Sequence, residues 1–328
     1  MIIVTGAAGF IGSNILADFE AAGRGPLVAV DWFESGEKWR NIGKRRISAF
    51  VEPFELPQFL DRNAASIERL VHMGAISATT ERDVDRLIKL NINYSVMLWE
   101  WCAKHQVPFI YASSAATYGG RESGFADDDR PDSLAALDPL NAYGWSKKAT
   151  DNIFAMRAAG GAARPPQWVG LKFFNVYGPN EYHKGDMMSV AAKIFDTAAH
   201  GEPVRLFKSY RRDIADGEQR RDFVYVKDCT RMVSWFVDHA DVSGIFNVGT
   251  GRARSFLDIV KSLRLALNTD IAVEFIEMPE AVRGRYQYFT EADMSKASSV
   301  GIDFEFNSLE SGVRDYVLSH LACDDRYR

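Results

Sequence analysis

Tyr143 and Lys147 stand four residues apart, the spacing that puts a phenol and an ammonium on one face of a helix. A tyrosine near its ordinary pKa of about 10 is a poor base at neutral pH, and a neighbouring cation favours the phenolate. Such a pair suits removal of a proton from an alcohol while the carbon gives up hydride. Tyr-x-x-x-Lys is a common accident, so its weight comes from position: it lies one helix after Ser113-Ser114, which end an apolar strand. No histidine and acid are spaced to make Ser114 a nucleophile. It reads instead as a hydroxyl that orients a substrate oxygen, with a simple turn cap as the alternative.

The hydride needs an acceptor, and the N-terminus offers a place for one. Thr5-Gly6-Ala7-Ala8-Gly9-Phe10-Ile11-Gly12 follows the apolar run Ile2-Ile3-Val4 and leads into a helix. Glycines between a strand and a helix N-terminus let a pyrophosphate approach the main chain, where free N–H groups and the helix dipole supply a positive field. The spacing is G-x-x-G-x-x-G, and its context marks a dinucleotide cradle of Gly6, Gly9, Phe10, Ile11 and Gly12. Asp31 ends the second strand, Leu27–Asp31, where such folds place the acid that meets the adenosine ribose; Trp32 follows it. An acid there favours NAD, whereas Lys38 and Arg40 could receive a 2′-phosphate, and the residues alone leave the two cofactors open. Met73-Gly74-Ala75-Ile76-Ser77 follow the fourth strand, Ile67–His72, at the edge where open parallel sheets bind ligands. His72 itself reads as a core histidine with satisfied ring nitrogens.

These groups require a scaffold that alternates strand and helix. Strands are expected at Ser48–Val51, Pro108–Ala112 and Trp168–Phe173, and helices at Glu55–Asn63, Val84–His105 and Leu140–Met156, the last opened by Pro139. Residues 120–138 read as an acidic loop over the site. The pattern predicts α/β architecture: a doubly wound parallel Rossmann sheet with a smaller interleaved α/β substrate-binding domain. Residues 1–174, with 226–252 returning, form the dinucleotide half; 175–225 and 253–328 form the other. In the second half, 175–185 reads as a loop, Met188–His200 as a helix, 208–221 as a basic loop, Phe223–Val226 as a strand, and Asp228 as a cap on the next helix. Helices Ser255–Leu267 and Leu309–His320 complete the chain.

Of the 328 residues 47% are hydrophobic, enough for a sizeable core, and the net charge is −5. Neither a basic stripe for nucleic acid nor an apolar span or leader for a membrane is visible, and Met1 runs straight into strand. Cys102, Cys229 and Cys323 are scattered, which fits a reduced cytoplasmic compartment and no metal site.

Taken together, the glycine loop, Ser114 and Tyr143-x-x-x-Lys147 resemble the extended short-chain dehydrogenases/reductases that act on nucleotide sugars. Tyr111–Arg121, Phe174–Pro179, His183-Lys184-Gly185, Arg221–Val226, Phe246–Arg252 and Gly284–Gln287 narrow the resemblance to the ADP-glyceromanno-heptose 6-epimerase family. That resemblance implies an isomerase using bound NADP to invert carbon 6 of an ADP-heptose for lipopolysaccharide inner-core synthesis, in a homo-oligomer that is typically pentameric. It further implies Tyr143 and Lys184 as the two acid/base residues and Ser114 as the active-site serine. Lys38, Asn91, Lys147, Val176 and Lys184 fall at or beside cofactor contacts. Asn175, Asp186, Lys193, Phe207, Lys208, Ser209, Tyr210, Arg221 and Tyr286 fall where the nucleotide sugar is held, with Arg221 favoured over Arg211 and Arg212 for the diphosphate. The chain departs from the family at Pro53-Phe54, where a lysine is missing, at Asp186 and Lys193, and in a longer segment 211–219.

Inversion supplies a physical case for Lys184. A fixed nicotinamide offers hydride from one face only, so a ketone must turn its other face to the same ring. Its oxygen then lies away from the first proton donor and needs a second. Rival readings are another nucleotide-sugar epimerase or dehydratase, and a catalytically silent cofactor-binding scaffold. Ala115-Ala116 after the serine supply no side chain for elimination, and intact Tyr143, Lys147 and Ser114 speak against the scaffold.

Overall fold

A computed structural model describes residues 1–284 and 286–328. Seven strands form one parallel sheet: β1 (Ile2–Thr5), β2 (Leu27–Val30), β3 (Ala49–Val51), β4 (Arg69–His72), β5 (Phe109–Ser114), β6 (Trp168–Phe173) and β10 (Gly244–Val248). Their order is β10-β6-β5-β4-β1-β2-β3, so the chain reverses direction across the sheet at β1. Most of these strands are buried along their whole length, as parallel strands covered on both faces must be. One covering layer packs Ile15, Leu16 and Phe19 of the helix Phe10–Ala21 with Met232, Val233 and Phe236 of the helix Val226–Asp238. The other packs Leu98, Trp99 and Cys102 with Phe154, where the Trp99 and Phe154 rings stack at 4.3 Å. This is the doubly wound parallel sheet that the sequence pattern predicts, and β10 pairs with β6 as its last strand.

A second lobe has its own core, in which Ile194, Phe195, Ile259, Leu263, Val313 and Tyr316 meet. It contains two small sheets. In one, β9 (Arg220–Tyr225) lies between β7 (Asn175–Tyr177) and the antiparallel β11 (Ala253–Ser255); in the other, β8 (Val204–Phe207) pairs with β12 (Val273–Ile276). Strand β7 replaces the start of the loop expected at 175–185, and β9 begins at Arg220, so Arg221 lies within a strand and not in a basic loop.

Local chemistry moves three further boundaries. The helix carrying Tyr143 starts at Ala142, because the Asn141 side chain accepts from the Gly144 N–H at 2.8 Å; Pro139 lies outside it. Asp228 does not cap its helix, which begins at Val226; its carboxylate accepts from the Asn307 backbone N–H at 2.9 Å and tethers the late chain. The stretch 84–105 is helical throughout but contains a π-helical turn, Ile88–Asn93. Residues 120–138 are fastened to β10, with the Asp127 carboxylate accepting from Asn247 N at 2.7 Å, and none of them lines the cleft described next.

Candidate active site

The glycine loop closes tightly on itself and on the β4 edge. Gly6 has φ +61°, and a side chain there would meet the Gly74 nitrogen at 2.7 Å. A Cβ on Gly12 would overlap the Gly6 carbonyl oxygen. The helix Phe10–Ala21 starts at Gly9 with no side-chain cap and no acidic residue in its first turn, so its N–H groups are left for an anion.

This cradle floors a cleft of about 500 Å³. Gly6, Gly9, Phe10, Ile11, Gly12, Asp31, Trp32, Lys38 and Met73–Ser77 line it, together with Ser114, Tyr143, Lys147, Val176 and Lys184. The structure thus brings together most of the residues expected at the cofactor. Asn91 is the exception. It is fully buried, accepts from the Ile76 N–H at 2.9 Å, and donates to the Ile76 carbonyl at 3.0 Å and to Ser146 Oγ at 3.0 Å. The π turn points this amide at the 73–77 loop, so Asn91 props the cleft wall without lining it.

Asp31 is also committed. Its carboxylate accepts from the Ala8 and Trp32 N–H groups, both at 2.8 Å, and pairs with Lys38 Nζ at 2.6 Å. Lys38 additionally donates to the Trp32 carbonyl at 2.9 Å. His72 behaves as expected of a core residue: Nδ1 faces Thr5 Oγ1 at 2.6 Å, Nε2 faces Ser95 Oγ at 2.9 Å, and burial drives its pKa down to about 3.

At the reactive end, Lys147 is buried and donates to the Ala112 carbonyl at 2.8 Å; burial lowers its pKa to about 8, partly opposed by Asp151. Tyr143 is pushed upward by burial, against a lowering hydrogen bond from Ser114. In the protein alone burial thus outweighs the Ser114 hydrogen bond and holds the phenol above its ordinary value. Ser114 Oγ also accepts from Ala116 N at 3.1 Å and caps the turn after β5, the alternative read for it.

Lys184 sits on the turn Tyr182–Met187, with its ammonium 5.1 Å from the centroid of the Phe10 ring. Among the described residues its Nζ makes no hydrogen bond or ion pair, and burial lowers its pKa while Glu181 raises it. It is a half-buried amine facing the cleft and left without a fixed partner.

The residues expected to hold the nucleotide sugar lie outside that cleft. Arg221 is buried, donates to the Arg220 carbonyl at 2.8 Å, and stacks 5.1 Å from the Tyr286 ring. Asn175 is exposed at the start of β7, and Phe207 ends β8. Lys208 pairs with Glu277 at 2.8 Å, Tyr210 bonds the same carboxylate, and the Ser209 N–H donates to Asp216 at 2.6 Å. Asp186 and Lys193 are exposed and joined, Nζ to carbonyl, at 2.5 Å. Arg211 is spent on Asp213 and Glu122. Arg285, within the expected Gly284–Gln287 motif, lies outside the described residues. Sequence reasoning missed Arg86 and Tyr94 as further cleft residues, since helix residues without a motif carry no local signal.

The glycine cradle, the buried Tyr143 and Lys147, and Ser114 thus share one cleft. Residues 2–249 match the model of the NAD dependent epimerase/dehydratase family, and the chain belongs to that family. It is 46% identical, over the full length of both chains, to a protein of Fusobacterium nucleatum named ADP-L-glycero-D-manno-heptose-6-epimerase. Among solved structures it resembles the Helicobacter pylori ADP-L-glycero-D-manno-heptose-6-epimerase, with 29% identity and a TM-score of 0.79 over 96% of this chain and 94% of that one. It also resembles a Bacillus cereus UDP-glucuronic acid 4-epimerase in complex with UDP-glucuronic acid and NAD, with 25% identity and a TM-score of 0.76 over 97% and 99% of the two chains.

Proposed function

We propose that this epimerase interconverts ADP-D-glycero-D-manno-heptose and ADP-L-glycero-D-manno-heptose by oxidation and re-reduction at carbon 6, with a tightly held NADP, supplying lipopolysaccharide inner-core precursors in the cytoplasm as a homo-oligomer. The reading is supported by two candidate proton-transfer groups lining one cleft, Tyr143 with its Ser114 hydrogen bond and Lys184 near Phe10. The naming of full-length relatives supports the substrate.

The glycine cradle would hold the dinucleotide, with residues 1–174 and 226–252 as its domain; 175–225 and 253–328 would hold the ADP-sugar through Arg221 and Tyr286. A nicotinamide held there would supply the acceptor and donor of hydride for carbon 6. Tyr143 takes the hydroxyl proton as hydride departs, and Ser114 orients the substrate oxygen. Lys147 keeps a positive charge beside the phenol at neutral pH. After the ketone turns, Lys184 gives a proton to the oxygen of the opposite configuration. NADP fits Lys38 if that ammonium shifts from Asp31 to a 2′-phosphate; NAD fits Asp31 as it stands.

The test is proton NMR of ADP-D-glycero-D-manno-heptose incubated with the protein and NADP. Appearance of the epimer at carbon 6 is the expected result, and unchanged sugar with bound cofactor would refute the reading.

A further inference from the structure

Two short turns bring lysines to the cleft from its open side: Glu37–Asn41 carries Lys38, and Tyr182–Met187 carries Lys184. They touch each other sparingly. Asn41 Nδ2 meets His183 Nδ1 at 3.1 Å, and Asn180 Nδ2 donates to the Asn41 carbonyl at 3.3 Å. The base of the second turn is held by Glu181, whose buried carboxylate accepts from Gly178 N at 3.2 Å and from Ser189 Oγ at 2.7 Å. Its outer side is held by something else.

The last residues of the chain cross both turns. Lys44, just past the first turn, donates to the Tyr327 carbonyl at 2.6 Å and pairs with Asp325 at 2.7 Å. On the second turn, Tyr182 donates its hydroxyl to the Arg326 carbonyl at 3.0 Å and meets the Tyr327 ring edge-on at 5.3 Å. The Arg328 N–H donates to Asn180 Oδ1 at 2.9 Å, and its guanidinium reaches Asp18 on the helix that starts at the glycine loop. A cavity of about 720 Å³ lies against this segment, lined by Lys44, Tyr182 and Tyr327 among others, so the tail spans open space more than it fills a core. Such exposed polar contacts are individually worth about 0–1 kcal/mol. Several acting on one short segment can fix the relative position of two turns without contributing much to global stability.

We propose that residues 324–328 form a strap that fixes the Lys184 turn against the Lys38 turn, making Tyr182, Lys44 and the tail positioning elements for the second proton donor. The proposal rests on the assignment of Lys184 as that donor and adds what places it.

Hydrogen exchange on the chain lacking 324–328, compared with the full chain, tests it without any ligand. The amides of Lys184 and Met188, bonded to the Glu181 and Gly185 carbonyls, should exchange at least tenfold faster, while those of β5 stay unchanged. NADP alone then serves as a probe. In the full chain it should slow exchange both in the glycine loop and at Lys184 and Met188; in the shortened chain it should protect only the glycine loop. Equal exchange at Lys184 and Met188 in both forms overturns the strap. If the deletion unfolds the protein, accelerated β5 amides reveal it, and Tyr182→Phe with Lys44→Ala replaces it with the same expected outcome; Lys44→Arg should restore the slow exchange. Epimerisation should fall about tenfold or more in kcat with KM little changed, as for a displaced catalytic group. A loosened turn with unchanged kcat leaves the strap standing and removes Lys184 from the chemistry.

Discussion

At the scale of single residues, the site depends on groups whose protonation is set by burial. Tyr143→Phe should reduce epimerisation by about 10²–10⁴-fold, the usual contribution of a positioned acid/base group, while dinucleotide remains bound by absorbance after desalting. Lys184→Ala should do the same; full activity in either variant contradicts the two-donor scheme. Lys38→Ala should weaken NADP by about tenfold more than NAD in titration calorimetry, because only the former needs the ammonium that Asp31 now holds. His72 gives a pH signature. It stays neutral in the fold down to about pH 3, whereas an unfolded histidine protonates near 6.5. The unfolded state therefore binds the extra proton between those values, and stability falls with decreasing pH by roughly 1.4 kcal/mol per unit from this group. Urea denaturation from pH 6.5 to 4.5 should show a shallower decline in His72→Gln than in the parent.

At the scale of elements, two features position the chemistry. The first is the glycine turn. Gly12→Ala forces a methyl group into the Gly6 carbonyl, and about 1–3 kcal/mol of stability and the dinucleotide affinity should go together. The second is the buried set behind the helix of Tyr143 and Lys147, where Asp151 pairs with Lys172 at 2.7 Å and accepts from Ser113 Oγ at 2.7 Å and Tyr111 at 3.0 Å. Asp151→Asn leaves a lysine charge buried and should cost about 3–5 kcal/mol in urea unfolding, and Asp151→Asn with Lys172→Met should recover most of it. Most strands and helices of the first half were legible because they are apolar or periodic runs, although β3 is only three residues long. The small strands were not: β7 is three residues long, and β8 and β11 draw their order from pairing partners distant in sequence. The π turn was not legible either, because the two asparagines and two isoleucines of Ile88–Asn93 weaken a helix without marking a change in its hydrogen-bond register.

At the scale of the whole molecule, the parallel sheet and the placement of the cofactor groups at its switch point followed from the order of elements. The second lobe did not, because the residues expected there sit on separate pieces of chain joined by strand pairing and packing, among them Asn175 on β7, Arg221 on β9, and Phe207 to Tyr210 at and beyond the end of β8. Motif matching named these positions; local periodicity gave no reason to group them. Arg221 shows the difference, since its rigidity comes from lying in β9 and from the Tyr286 ring above it.

The sheet order also has a consequence for the chain as it is made. Strand β6 is buried along its entire length, yet the neighbour that covers its open edge, β10, is encoded some seventy residues later. During synthesis an apolar parallel edge therefore waits, unpaired, until the ribosome has delivered most of the polypeptide. Pairings this distant in sequence form slowly and leave sticky borders exposed. Nascent copies of this chain should consequently depend on chaperone shelter until β10 has docked.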